Sequence, residues 1–402
     1  MPAPDTASPT RLRRARLAVG GCFFVNAVLY ANLVPRLPEV KAELGLSNSA
    51  LGTALAALPL GALLAGISSA VLIRRFGSAR VASAGLFLLA AAIWGAAAAP
   101  NWFWLAAALL VAGALDAVVD VAQNAHGLRV QRAYGRSILN AFHGIWSIGA
   151  VTGGLLGSAA AGLGVPLPVH LAVVGVVFGV PALFGSRVML PGPDDADRDD
   201  VETGTAPAAS ATRALRRAAL PAMAALGVLA ACGAFVEDAG ASWSALYLRD
   251  ELAAGAAAAG LGFVALSAAM TVGRLTGDRV VDRFGQRRVV RAGGALTAAG
   301  MGVALLVPSI PTTLIGFALA GLGVATLVPA VYHAADELPG LPRGLGLAVV
   351  NWLLRIGFLL SPPLIGFLAD ATSLRVALLT VVVAGIGALT FGRVLPRTVA
   401  GG

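Results

Sequence analysis

AVLIRRFGSAR, residues 70–80, recurs as DRVVDRFGQRR, residues 278–288, 208 positions further along a chain of 402. The shared centre is a triplet, Arg75-Phe76-Gly77 against Arg283-Phe284-Gly285, with Arg80 matched by Arg288. At the same offset Glu43-Leu44 matches Glu251-Leu252, and Gly52, Gly85, Gly113 and Gly149 match Gly260, Gly293, Gly321 and Gly357. In a chain with 50 glycines, single glycine matches carry little; the triplet and the Glu-Leu pair carry the weight. An ungapped match at one spacing over this distance makes the chain two copies of one unit in parallel repeat.

What each copy is made of follows from composition. The chain is 58% hydrophobic and 12% charged, about half the charge of a soluble domain, for which 25% is usual. Twelve apolar segments stand out, at about 17–35, 49–73, 80–99, 102–126, 137–163, 165–186, 215–246, 255–277, 287–308, 311–334, 344–368 and 373–394. At about 20 residues and 1.5 Å per residue, each crosses the roughly 30 Å of hydrocarbon in a bilayer. The sequence therefore predicts an all-α membrane protein of twelve spanning helices. Between the sixth and seventh segments lies PGPDDADRDDVETGTAPAASATR, polar and without apolar periodicity, which predicts a flexible linker. The expected division is a six-helix bundle over 1–190, a cytoplasmic linker over 191–213 and a second six-helix bundle over 214–402.

Orientation follows from the basic residues. Arg11, Arg13, Arg14 and Arg16 precede the first segment. Arg74, Arg75 and Arg80 follow the second, and Arg129, Arg132 and Arg136 follow the fourth. Arg213, Arg216 and Arg217 precede the seventh, and Arg279, Arg283, Arg287, Arg288 and Arg291 surround the junction of the eighth and ninth. The opposite loops hold Arg36, Lys41, Arg249 and Arg375, four of 29 basic residues. By the positive-inside rule both termini face the cytoplasm, which places the protein in the inner membrane as a multi-pass chain with a retained first helix. Topology also accounts for the net charge of +9, so nucleic acid is not the partner it points to. Cys22 and Cys232 both lie in apolar runs, as small core residues.

The repeated loop brings a family into view. The whole chain resembles the major facilitator superfamily, whose signature between the second and third spans is Gly-x-x-x-Asp-Arg-x-Gly-x-Arg-Arg. The second copy keeps Asp282, Arg283, Gly285, Arg287 and Arg288, with Asp278 at the first position; the first copy keeps Arg75, Gly77 and Arg80, with Arg74 where the acid belongs. The resemblance implies a gating loop that braces helices by charge pairing and a tight glycine turn. Within the superfamily, NLVPRLPEVKAELGLSNSALG (32–52) and AQNAHGLRVQRAYGRSILNAFHGIWSIGA (122–150) resemble the bacterial fucose-permease-like branch of sugar–proton symporters. Family exporters carry Gly-Pro in the fifth span, where this chain has Gly157-Ser158, and many carry an arginine in the fourth, which this chain lacks before His126. Both departures lean towards uptake.

Polar residues inside the spans nominate the site, because a charge at mid-bilayer costs about 2.5–3.5 kcal/mol on insertion scales. ALDAVVDVAQNAHG (114–127) places Asp116, Asp120, Gln123 and Asn124 within about 100° of one helical face. A carboxylate that takes and releases one proton as a cavity opens is what proton coupling requires, with Asp116 the deeper candidate and Asp120 able instead to meet an arginine. The corresponding stretch of the second copy, GVATLVPAVYHAA from Gly323, has no acid at these positions, so the carboxylates are not demanded by the fold. Asn140, His143 and Ser147 share a face of the fifth span; His143 can titrate or simply donate a hydrogen bond. Its counterpart is Asn351, followed by Arg355, which needs an anion: Asp116, Glu237, Asp238 or a substrate group. Of the adjacent acids Glu237 and Asp238, Glu237 is expected to face the cavity. Asn26 and Tyr30 form a hydrogen-bonding strip on the first span, while Trp146 and Trp352 offer stacking surfaces or packing. Pro362-Pro363 should kink the eleventh span.

These residues predict a secondary transporter. Proton coupling is assigned to Asp116, Asp120, Glu237 and His143. Substrate contacts are assigned to Asn26, Tyr30, Asn124, Asn140, Trp146, Asn351 and Arg355. The expected activity is proton-coupled uptake of a small polar, sugar-like solute by a monomer in the bilayer; the alternative is proton-driven export of drugs or metabolites. No phosphate loop, zinc spacing or catalytic triad is present, so neither an enzyme nor a cofactor is expected. A membrane sensor on the same scaffold would be expected to carry a soluble domain, and the longest extramembrane stretch is the linker.

Overall fold

The computed structural model describes residues 8–135, 138–192, 212–338 and 345–396. Almost all of the expected linker lies outside these residues, as does Arg136, and the side chains of Arg213, Arg216 and Arg217 are likewise outside what is described. Among the described residues there are twelve helices long and apolar enough to cross a membrane: Thr10–Glu43, Asn48–Gly66, Ser78–Ala97, Trp102–Tyr134, Leu139–Gly162, Leu167–Arg187, Leu220–Glu251, Ala256–Phe284, Gln286–Leu306, Ile310–Asp336, Leu345–Ala371 and Leu374–Val394. No strand occurs among them.

The fourth span runs eight residues past its expected end. It begins where the Asn101 side chain accepts the Trp104 N–H at 3.0 Å and runs 33 residues to Gly135, which closes it at φ +69°. Hydrophobicity ends near residue 126, but the helix continues because its polar end is held. The buried Arg129 guanidinium donates to the carbonyls of Leu190, Pro191 and Gly192 at 3.3, 2.6 and 3.0 Å. His126 accepts the Leu190 N–H at 3.2 Å and meets the Ser78 hydroxyl at 2.8 Å. The eleventh span continues through Pro362 and Pro363 without a break.

The helices group into two compact units, residues 1–40 with 57–202, and residues 41–56 with 203–402. In the first unit the first span packs on the fifth and the third on the fourth; in the second the seventh packs on the eleventh and the ninth on the tenth. The same pairs recur, and so do their contact points. A Cβ on Gly113 would run into the Leu58 carbonyl, and one on Gly321 into the Leu266 carbonyl, 208 positions on. Close backbone approach at small residues replaces the hydrophobic drive that lipid removes. The triplets fold alike: Gly77 has φ 84° and ψ 145°, Gly285 φ 81° and ψ 144°, values that only glycine adopts cheaply. Arg75 lies 5.4 Å over the Phe76 ring and Arg283 5.4 Å over Phe284.

Residues 41–56 join the second unit for an electrostatic reason. The Asp370 carboxylate accepts the N–H groups of Asn48 and Ser49 at 2.9 and 2.8 Å, capping the helix that starts there, where the helix dipole favours an anion. Lys41 pairs with Asp250 at 2.8 Å.

Candidate functional site

Each unit carries polar side chains that meet inside its spans. In the first unit Asn26, 5% exposed on the first span, donates through Nδ2 to Asp116 Oδ1 of the fourth at 2.7 Å and accepts from Trp146 Nε1 of the fifth at 2.8 Å. One amide thus joins three helices and uses both of its ends, with its O and N roles fixed by the indole donor on one side and the carboxyl oxygen on the other. Tyr30 sits one turn further along the first span, half-buried.

The two carboxylates of the fourth span, expected to act together, lie in different settings. Asp116 is half-buried and tied to Asn26; Asp120 is exposed and accepts from Asn124 Nδ2 at 2.9 Å and Gln123 Nε2 at 3.4 Å. Asn124 is thereby engaged within its own helix, donating also to the Asp120 backbone carbonyl at 2.8 Å. The polar face on the fifth span divides as well. Asn140 and His143 are exposed, His143 with its ring edge-on to Phe23 at 5.2 Å. Ser147 is buried and donates back to the His143 carbonyl at 3.1 Å.

In the second unit Glu237 meets Arg274 at 3.6 Å, while Asp238 is buried and accepts from Ser242 Oγ at 2.8 Å. The two acids differ in burial, Glu237 being the more open. A π-helical stretch, Ala239–Trp243, follows them directly, a feature frequent at functional sites. Tyr332 donates its hydroxyl to Asn351 Oδ1 at 2.9 Å, and Arg355 stands one turn beyond, half-buried. Of the anions considered for Arg355, Glu237 lies instead against Arg274 and Asp238 accepts from Ser242. Among the described residues Arg355 makes no hydrogen bond or ion pair, which leaves a planar fork of donors for an oxygen of a solute. Trp352 is 55% exposed.

The gating loop also differs from expectation. Among the described residues Asp282 makes no ion pair. It follows the helical path about 100° away from Arg283, whose guanidinium lies on Phe284. The second copy is braced instead by arginine–carbonyl bonds, Arg287 to the Arg393 carbonyl and Arg291 Nε to the Leu389 carbonyl at 3.0 Å.

Sequence reasoning missed three participants. Arg274 lies ten residues before the end of its helix and called for the same question as Arg355. Tyr332 was not singled out. Arg36, counted as a loop charge, is 1% exposed. It chelates Glu39 through Nε at 2.8 Å and Nη2 at 2.5 Å, donates to the Val165 carbonyl at 2.6 Å and meets His170 Nδ1 at 3.1 Å. His170 Nε2 in turn meets Asn32 Oδ1 at 3.1 Å. Arginine has no acceptor, so the facing Nδ1 is the lone-pair nitrogen and the His170 ring is neutral. No group of three or more metal-binding side chains occurs among the described residues.

Comparison with known proteins places this architecture. A family model described as Major Facilitator Superfamily matches residues 19–247 and 228–401. Membrane protein MosC of Rhizobium meliloti is 31% identical over 373 residues, 92% of this chain and 87% of that one. An uncharacterised MFS-type transporter of Yersinia pestis is 30% identical over 359 residues, 88% of this chain and 89% of that one. Among solved structures, the bacterial homologue of the human lysosomal transporter Spinster superposes with a TM-score of 0.75 at 16% identity, covering 97% of this chain and 98% of the other. The transporter FucP, in the outward conformation, superposes with a TM-score of 0.62 at 19% identity, covering 95% and 99%. At these identities the structural likeness shows the fold.

Proposed function

The chain belongs to the Major Facilitator Superfamily, and on that premise we propose that it couples proton movement to the uptake of a small polar, sugar-like solute. It is a multi-pass membrane transporter built from two six-helix repeats, and not an enzyme. In the proposal the bundles 1–190 and 214–402 work by alternating access, both termini face the cytoplasm and the chain works as a monomer in the inner membrane.

One observation carries the coupling. Asp116 sits 14 residues inside a 33-residue helix, about 21 Å from its start at 1.5 Å per residue, where a charge is costly. It is bonded to Asn26, which is itself bonded to Trp146. A carboxyl linked to the proposed substrate contacts through one amide allows solute binding and proton binding to influence each other. Asp120 and His143, both exposed, are the proposed route by which the proton reaches or leaves Asp116. In the second unit the Glu237–Arg274 pair is the proposed partner element, and Asn351, Tyr332 and Arg355 supply hydrogen bonds to the solute.

The substrate class rests on side-chain chemistry: amides, a phenol, an indole and one arginine suit hydroxyl-rich solutes better than bulky lipophilic ones. FucP, which shares the fold, is described as a fucose:proton symporter. The test is accumulation of sugars and polyols by proteoliposomes under an imposed pH gradient, comparing wild type with Asp116→Asn. Gradient-driven uptake that persists in the variant sinks the coupling assignment; outward movement of drugs with no solute uptake favours the exporter.

A further inference from the structure

At the Arg-Phe-Gly turn of the second unit lies a cavity of about 530 Å³ lined by Phe284, Gly285, Arg287, Arg288, Arg291 and Arg393. Four of these six residues are arginine and none is acidic. The positive-inside rule explains arginines on this side of a membrane; it does not explain four of them converging on one cavity. The repeat excludes a fold requirement. At the offset of 208, Arg287, Arg291 and Arg393 correspond to Ala79, Ser83 and Gly185, and only Arg288 has a basic counterpart, Arg80. The first copy makes the same turn, with the same glycine conformation, without the cluster.

The arginines are arranged rather than merely close. Arg287 is anchored on the Arg393 carbonyl, and Arg291 uses Nε on the Leu389 carbonyl, which leaves its two terminal nitrogens. A Cβ on Gly392 would sit 2.8 Å from Arg291 Cγ, so the glycine makes room for that side chain. Among the described residues Arg288, Arg291 and Arg393 make no ion pair, and the acids of the preceding helix, Asp278 and Asp282, make none either. Like charges around one cavity repel, and an oxyanion with two or more free acceptor oxygens offsets that cost with forked hydrogen bonds. The volume falls within the range of small-ligand pockets and exceeds what a bare phosphate ion fills. Phe284 at 47% exposure and Val394, beside Arg393, at 36% exposure put apolar surface next to the arginines.

We propose that this cavity binds the phosphate of an anionic phospholipid headgroup, with the guanidinium groups of Arg288, Arg291 and Arg393 as its ligands and Phe284 against the glycerol and first acyl carbons. Basic clusters at the ends of spanning helices recognise acidic lipids by this chemistry. The site lies wholly in the second unit and stands apart from the coupling proposal.

The experiment uses the full chain, purified in detergent and stripped of lipid. Binding is followed by native mass spectrometry and by melting temperature on adding phosphatidylglycerol, phosphatidylcholine, soluble glycerophosphoglycerol or inorganic phosphate. The wild type should retain and be stabilised by phosphatidylglycerol, with phosphatidylcholine at least ~10-fold weaker. Arg288→Gln with Arg393→Gln should weaken phosphatidylglycerol at least ~10-fold. The doubly lysine-substituted protein should recover part of the loss, and Arg132→Gln, an exposed arginine elsewhere, should change nothing. Should the double variant misfold, Arg288→Gln alone serves, since among the described residues Arg288 makes no ion pair or hydrogen bond. Unchanged phosphatidylglycerol binding in the glutamine variants overturns the proposal. So does equal stabilisation by inorganic phosphate alone, which would assign the site to a free anion.

Discussion

Replacing Asn26 by leucine tests the join between the first, fourth and fifth spans. Leucine keeps the shape of the side chain and removes both of its hydrogen bonds. The bond to Asp116, at 2.7 Å, involves an ionisable partner and is worth about 1.5–3 kcal/mol. The bond from Trp146, at 2.8 Å, is neutral and worth about 0.5–1.5 kcal/mol. Asn26→Leu should therefore destabilise by about 2–4.5 kcal/mol, and Trp146→Phe, which removes only the second bond, by about 0.5–1.5 kcal/mol. The decisive quantity is the double variant. If Trp146 acts on the cluster through Asn26, adding Trp146→Phe to Asn26→Leu costs almost nothing, and the cycle returns a coupling of about 1 kcal/mol. Reversible unfolding of the purified protein in mixed micelles, followed by circular dichroism, measures all four corners without a known substrate. Additive effects, within about 0.3 kcal/mol, refute the three-helix join.

Other substitutions probe the rest of the account. Gly113→Ala and Gly321→Ala each drive a Cβ into a backbone carbonyl and should lower stability by about 1–3 kcal/mol, whereas Gly66→Ala, which meets nothing within 4 Å, should be neutral or slightly stabilising; thermal unfolding in detergent separates them, and equal behaviour of all three denies the close helix approach. Arg36→Met breaks a buried pair and should cost about 3 kcal/mol, the low end for such pairs, because the Glu39 side chain keeps 33% exposure; an unchanged melting curve contradicts the network. Arg355→Gln should raise the KM for the transported solute about 10- to 100-fold, the loss of one charge-assisted hydrogen bond, with folded yield unchanged and partial recovery in Arg355→Lys; an unaltered KM removes Arg355 from the site.

The twelve spans and the repeat were legible because lipid imposes them: a spanning segment must be long and apolar, and two such sets at one offset leave a countable signature. The Arg-Phe-Gly turn was legible for the same reason, since its glycine angles agree within about 3° between copies, as the shared triplet demands. Asp116 announced itself by its cost. Its partner did not, because periodicity tells which residues share a face of one helix and is silent on which helix lies opposite; Asn26 and Trp146 are 90 and 30 residues from Asp116 in sequence. The same blindness left the anion for Arg355 open among Asp116, Glu237, Asp238 and a substrate group, and gave Asp282 a bracing role where the structure shows arginine–carbonyl bonds. Arg36 and Arg129 were read as loop charges because sequence counts a charge without seeing the carbonyls around it. A buried arginine bonded to backbone oxygens has no sequence signature beyond its place at the edge of an apolar run.

The central claim is that Asp116 carries the proton that drives transport. Its direct measurement is proton flux: proteoliposomes containing an internal pH-sensitive dye, an added solute identified by the uptake screen, and no imposed pH gradient. The account predicts that downhill solute entry acidifies the lumen in the wild type and that Asp116→Asn still admits solute down its gradient while the dye stays silent. Solute entry with undiminished acidification in Asp116→Asn would contradict it.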